Sequence, residues 1–237
     1  MDLIQYIVLF SSVFLGAFIA FRFKTISNNT TKLLISFSGA YLFSITILHL
    51  IPETFNNENN LKTGLFVLIG FLIQLILEQF SKGVEHGHNH IHGTVPFSIL
   101  VGLCIHSFIE GMPLGIHHHH SNHSHIHGSL LSGIALHKIP VSMVLTHMLI
   151  QSNMSLLRVI LLVLLFSMTS PLGLFVSQYI SSVSFYFQEI SALVIGIFLH
   201  ISTTILFESS EGHQFNSRKG IAIFLGVGIA LVGAFLL

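Results

Sequence analysis

Apolar segments of about 17 to 24 residues, each long enough to cross a hydrocarbon core of ~30 Å, recur along the chain with polar breaks between them. They run from Leu3 to Phe21, Leu33 to Ile51, Gly64 to Phe80, Val95 to Ile116, Ser129 to Ile150, Leu157 to Tyr179, Ile190 to Phe207 and Gly220 to Leu237. In lipid a helix satisfies its backbone polar groups within one segment, so the pattern predicts an all-α integral membrane protein of eight transmembrane helices. The whole of 1–237 reads as one transmembrane domain, with histidine-rich loops at 81–94 and 117–128. Composition points the same way: 52% of the 237 residues are hydrophobic and 8% charged, where a soluble domain carries roughly 25% charged residues.

The basic residues set the expected orientation, since cytoplasmic loops hold an excess of Lys and Arg. Arg22, Lys24 and Lys32 flank the first loop, Lys82 the third, Arg158 the fifth, and Arg218 with Lys219 the seventh. Lys62 alone sits in an even-numbered loop, and Lys138 lies inside a span. Both termini are therefore expected to be extracytoplasmic. The first segment reads as a retained helix, because its positive charges follow the apolar run, whereas a signal peptide carries them before it.

A formal net charge of zero argues against nucleic acid as a partner, because phosphate binding needs a concentrated basic face. The single cysteine, Cys104, has no partner for an intrachain disulfide. Nothing in the chain has the form of a Gly-rich phosphate loop with its lysine, so no nucleotide-driven work is expected.

Two histidine tracts interrupt the apolar pattern. Glu85, His86, His88, His90 and His92 alternate with other residues between the third and fourth spans, on the cytoplasmic side by the charge rule. His117, His118, His119, His120, His123, His125 and His127 form a denser tract in the following, extracytoplasmic loop. Tracts of this composition gather borderline metals such as Zn²⁺ without fixed geometry, and metal capture is the reading favoured over a passive polar loop.

The polar residues inside the spans carry more weight. His106 and Glu110 stand one helical turn apart on one face of the fourth span. Each costs several kcal/mol at bilayer depth by transfer scales, so their joint presence calls for a partner that offsets it. Imidazole and carboxylate are ligands that Zn²⁺ and its neighbours accept. Ser107, Gly111 and Pro113 lie in the same segment, and the fifth span brings His137, Lys138 and Pro140. One buried histidine is most simply an interhelical hydrogen bond. His106, Glu110 and His137 together point to a shared metal site. His49 and Glu53, at the outer end of the second span, are candidates to line an entrance, and His200 in the seventh is a candidate pathway ligand. His147, Glu208, Glu211 and His213, toward the cytoplasmic side, are candidates to receive departing metal.

His106-Ser107-x-x-Glu110-Gly111 in the fourth span and His137-Lys138-x-Pro140 in the fifth resemble the paired signatures of the ZIP (Zrt/Irt-like) family of zinc and iron transporters. His49 to Glu53 and Ser170-Pro171-Leu172-Gly173 add to the resemblance, which covers nearly the whole chain. It implies inward transport of a divalent metal through a site between the fourth and fifth helices, with His106, Glu110 and His137 as ligands and Ser107 near a second metal position. Zn²⁺, or Fe²⁺, Mn²⁺ or Cd²⁺, is then a transported substrate; no cofactor is required, and a homodimer is common in the family.

Two departures from that pattern stand out. Val141 occupies a position where many members hold a glutamate, and Lys138 one where binuclear members hold an acidic ligand. A fixed ammonium repels a second dication and pairs with Glu110, so a single metal is expected at the core. Three protein ligands with an open position make an exchangeable site, whereas a four-ligand cage is a structural one. A dication moving inward across ~100 mV gains roughly 4.6 kcal/mol, twice the ~2.3 per elementary charge, so uptake needs no pump.

Two other classes fit less well. A cation-diffusion exporter has six spans and Asp-rich ligand sets, and here the only aspartate is Asp2. An intramembrane zinc hydrolase carries His-Glu-x-x-His, a motif absent here, so no enzyme is expected. The multi-pass chain is expected in the plasma or bacterial inner membrane, although Asn122-His123-Ser124 would accept a glycan in a secretory pathway. Thr46-Ile47-Leu48-His49 ending the second span is echoed by Thr204-Ile205-Leu206-Phe207 ending the seventh, which suggests that the first three and last three helices form an inverted repeat around the fourth and fifth.

Overall fold

Each apolar stretch of the sequence becomes one long helix. The computed structural model describes residues 2–23, 27–55, 60–81, 97–115, 124–152, 154–207 and 217–236. Helix α1 spans Asp2–Arg22, and α2 spans Asn28–Ile45, prolonged by a π-helical turn at Thr46–Leu50 and a last turn at Ile51–Thr54. Helix α3 covers Asn60–Ser81, and α4 covers Phe97–Gly111 before tightening into a 3₁₀ turn at Met112–Gly115. Then come α5 (Ser124–Gln151), α6 (Leu156–Tyr179), a short turn of helix at Ser181–Phe185, α7 (Phe187–Phe207) and α8 (Ser217–Leu236). All eight long helices are long and apolar enough to cross a membrane, and no strand occurs among the described residues. The chain is an all-α, multi-pass membrane protein.

Several helices begin a few residues before their apolar runs, and at α2 a polar cap is the reason. Ser27 precedes α2 and its Oγ accepts the Thr30 N–H at 3.1 Å, so helix begins several residues before Leu33. Beyond Ile51, α2 continues through Pro52. The Ile51 N–H reaches back five residues to Thr46 O, and this widened turn absorbs one residue ahead of a proline that has no N–H to give. Pro140 and Pro171 lie inside α5 and α6 without ending them, whereas at Pro113 the α-helix gives way to the 3₁₀ turn.

The closest helix pairs are α3 with α7, α1 with α5, α2 with α8 and α4 with α6. Glycines make each approach close. A Cβ at Gly196 of α7 would overlap Val67 O, and one at Gly70 of α3 would overlap Leu193 O. Gly173 of α6 lies against Phe108 O just as Gly111 of α4 lies against Ser170 O. Gly16 and Gly226 do the same for α1 on α5 and α8 on α2. Lipid supplies no hydrophobic drive between helices, so backbone-to-backbone packing through small residues is what holds such bundles.

The main pairs map onto one another when helices one, two, three and four are exchanged for six, seven, eight and five. Successive spanning helices alternate in direction, so each exchange replaces a helix by one running the opposite way, the relation of an inverted repeat. The echoed segments Thr46–His49 and Thr204–Phe207 lie on the exchanged helices α2 and α7.

Polarity is distributed inside out. Leu161, Leu165, Leu172 and Phe175 of α6 face outward, while Ser167, Thr169, Ser170 and Ser177 of the same helix are buried. Helix α5 is the most enclosed of the eight. At one end of the bundle Gln188 Nε2 donates to Thr63 Oγ1 at 2.9 Å and to Thr54 O at 3.2 Å, and Lys62 pairs with Glu189, tying α2, α3 and α7 together.

The glycine contacts yield a stability prediction. Gly196→Leu should force α3 and α7 apart and destabilise the purified protein by about 1–3 kcal/mol or more, the cost of overpacking a tight contact. Gly233→Ala, where an added Cβ meets nothing within 4 Å, should leave the thermal midpoint in detergent unchanged.

Candidate metal site

Helices α4 and α5 carry the chemistry, and three of their side chains converge. His106, Glu110 and His137 each offer one ligand atom, and these atoms lie within 4.8 Å of one another. The three residues are 2%, 0% and 1% exposed. His106 Nε2 and Glu110 Oε1, one turn apart on α4, approach to 2.9 Å without hydrogen-bond geometry. The His106 and His137 rings stand nearly perpendicular, with centroids 6.3 Å apart. Atoms bound tetrahedrally to one Zn²⁺ at ~2.0–2.1 Å would lie roughly 3.3 Å from each other, so a small inward movement of the set would bring it to ligation distance.

The other carboxylate oxygen is held by Lys138. Lys138 Nζ donates to Glu110 Oε2 at 2.9 Å and to Ser107 Oγ at 2.7 Å, and it lies 5.6 Å from the centre of the Phe166 ring. An ammonium only 2% exposed is tolerable because a carboxylate, a hydroxyl and an aromatic face share it.

Ser107 is the hub of a polar cluster reaching into α6. Thr169 Oγ1 lies 2.8 Å and Ser170 Oγ 3.1 Å from Ser107 Oγ. Thr169 Oγ1 is the donor in its contact with Ser107 and is also within reach of Phe166 O at 2.7 Å, while Ser170, which donates to Ser107 O at 2.5 Å, is placed to accept the Ser107 proton. Ser107 Oγ thus faces Lys138 and α6. The ammonium stands where the family resemblance placed a second metal.

The remaining expected positions are scattered. His49 sits on the π-helical turn of α2, partly exposed, with Glu53 one turn further on, and neither joins the core group. His200 Nε2 lies 3.5 Å from Glu78 Oε2 of α3, and its ring meets that of Phe71 edge-on at 4.7 Å. His147 Nε2 meets the Gln151 amide at 2.9 Å. His125 and His127 fall on the first turn of α5, while His86, His88, His90, His92, His117, His118, His119, His120, His123, Glu208, Glu211 and His213 lie outside the described residues. Val141 is buried and belongs to the apolar core. Sequence reasoning passed over Glu78, although a carboxylate inside an apolar span was signal enough. It also passed over Thr169, whose type gives no such signal.

The chain is thus a multi-pass helical membrane protein with a buried His/Glu cluster shared by α4 and α5. The family model described as ZIP zinc transporter matches residues 85–234, more than half of the chain, and the chain belongs to that family. The protein zntD of Dictyostelium discoideum is 29% identical over 173 residues, covering 64% of this chain and 25% of that protein. The chain thus spans about a quarter of that relative's length. Members of the family transport divalent metal ions across membranes and are not enzymes.

The ion pair gives the next prediction. Removing one partner of a buried pair costs about 3–5 kcal/mol. Lys138→Met should therefore lower the thermal midpoint in chelator, and added Zn²⁺ should raise it more than in the wild type, because the metal then supplies the positive charge that Glu110 has lost. Melting curves with and without zinc check this.

Proposed function

We propose that this protein carries Zn²⁺ inward, toward the cytoplasm, through a single site formed by His106, Glu110 and His137. The convergence of these three buried ligand atoms within 4.8 Å carries the reading. The set has one carboxylate and two imidazoles, and its vacant coordination positions suit an ion in transit. Lys138 fixes the stoichiometry at one, because its ammonium shares Glu110 and stands beside Ser107.

Direction follows from the basic residues and the potential. With both termini outside, Lys62 lies on the first turn of α3 at its extracytoplasmic end, where it pairs with Glu189, and it is outnumbered by the Lys and Arg residues of the odd-numbered loops. His49 and Glu53 then belong to the outer end of α2 and serve as the entrance. His200 and Glu78 lie on the cytoplasmic half of α7 and α3 and serve as an exit station. The histidine tracts gather metal at either mouth. The protein resides in the plasma or bacterial inner membrane, where an inside-negative potential draws the dication in.

Flux of ⁶⁵Zn²⁺ into proteoliposomes at an imposed inside-negative potential tests the proposal. Wild type should show saturable uptake. His106→Ala, Glu110→Ala and His137→Ala should each lower it by more than the roughly 10–100-fold that loss of an outer-shell partner costs a metal site. Folded wild-type protein that passes no metal would refute the carrier reading, and full activity in the three variants would refute the site.

A further inference from the structure

Gln74 of α3 is 0% exposed, and both polar atoms of its amide are buried without a hydrogen-bond partner. An amide removed from water and given nothing in return costs stability, and such groups persist where a ligand or function requires them. Leucine would fit the same stripe of α3 without that penalty.

Two sets of contacts locate the side chain. Phe71 and Glu78, seven residues apart on α3, both meet His200 of α7. Gln74 is three residues on from Phe71 and four before Glu78, so it lies on the same helix face between them. On the other side, a Cβ at Gly102 of α4 would stand 3.2 Å from Leu77 O and 3.4 Å from Ser81 N, which fixes the register of α3 against α4. The two helices run in opposite directions. One turn beyond Gly102 is His106, and one turn back from the Leu77–Ser81 contact is the level of Gln74. The unsatisfied amide therefore stands at the depth of the core ligand His106 and one turn from Glu78.

We propose that Gln74 is a relay ligand whose amide oxygen takes the ion from the His106, Glu110 and His137 site and passes it to Glu78 and His200. A neutral amide suits the step. Its oxygen solvates a dication that has left its first ligands, and it lacks the charge with which a third carboxylate along the route would hold the ion. The role rests on the carrier reading above and adds to it the path from core to exit.

Gln74→Leu provides the test, with wild type measured alongside. The variant should fold, with a zinc-free thermal midpoint equal to or above that of wild type, because an unsatisfied amide has been removed. Its equilibrium affinity for Zn²⁺ should be unchanged, since the core ligands are intact. Its maximal rate of ⁶⁵Zn²⁺ uptake into proteoliposomes should fall about tenfold or more, the lower range for loss of a supporting group at a metal site. A wild-type rate would overturn the relay, and so would a fall in rate accompanied by a lower midpoint or weaker zinc binding, which would mark a structural or core-site role. Absence of uptake by wild type would overturn the carrier reading, and the relay with it.

Discussion

A carboxylate sealed inside a membrane bundle must be shared out between positive or proton-bearing partners, and Glu110 is that carboxylate here. One oxygen accepts from Lys138 and the other faces His106. The surrounding packing serves this division. Gly111 and Gly173 let α4 and α6 touch backbone to backbone, and that contact brings Thr169 and Ser170 against Ser107. Ser107, so held, gives the Lys138 ammonium its second acceptor. Glycines that offer no ligand atom thus help to decide whether the charge on Glu110 is balanced.

This balance bears on exchange. A site with one carboxylate and one ammonium is near neutral, so an arriving dication meets little net attraction beyond its three ligands. Under the proposed function that is an advantage, because an ion bound through many charges would be bound too firmly to leave. It also explains why an apolar Val141 is tolerated four residues after His137: a second carboxylate would have no cation of its own.

The fold was largely legible because its signal is long-range and redundant. Eight apolar runs could hardly become anything other than spanning helices, and only their ends, such as the start of α2 set by the Ser27 cap, fell outside the pattern. The buried cluster was legible for the opposite reason: His106, Glu110 and His137 are costly in an apolar run, so each is conspicuous, and the three converge. Thr169 and Ser170 were not conspicuous in that way. Buried hydroxyls throughout this chain donate to carbonyls three or four residues back, as Ser167 does to Leu164 O, so a Ser or Thr in a span says nothing about a site until neighbours are seen. Gln74 needed the register of α3 against both α4 and α7.

The exchange of helices that relates the four main pairs also bears on the site. Exchanging α4 for α5 equates His106 with His137, Ser107 with Lys138 and Glu110 with Val141, since the three positions stand at the same intervals on both helices. Residues near an axis of such a repeat meet their own counterparts. The two histidine rings meet edge to face with centroids 6.3 Å apart, and Lys138 donates to Ser107 at 2.7 Å. A fully symmetric version would hold two carboxylates, one on each side, and would need two positive charges to balance them. This chain departs from symmetry twice, replacing one carboxylate by valine and one hydroxyl by lysine. The two departures compensate each other: the missing negative charge and the added positive one leave a single carboxylate with a single internal cation. Under the proposed function a site reduced in this way holds one ion, and the Lys138 ammonium takes the place of a second.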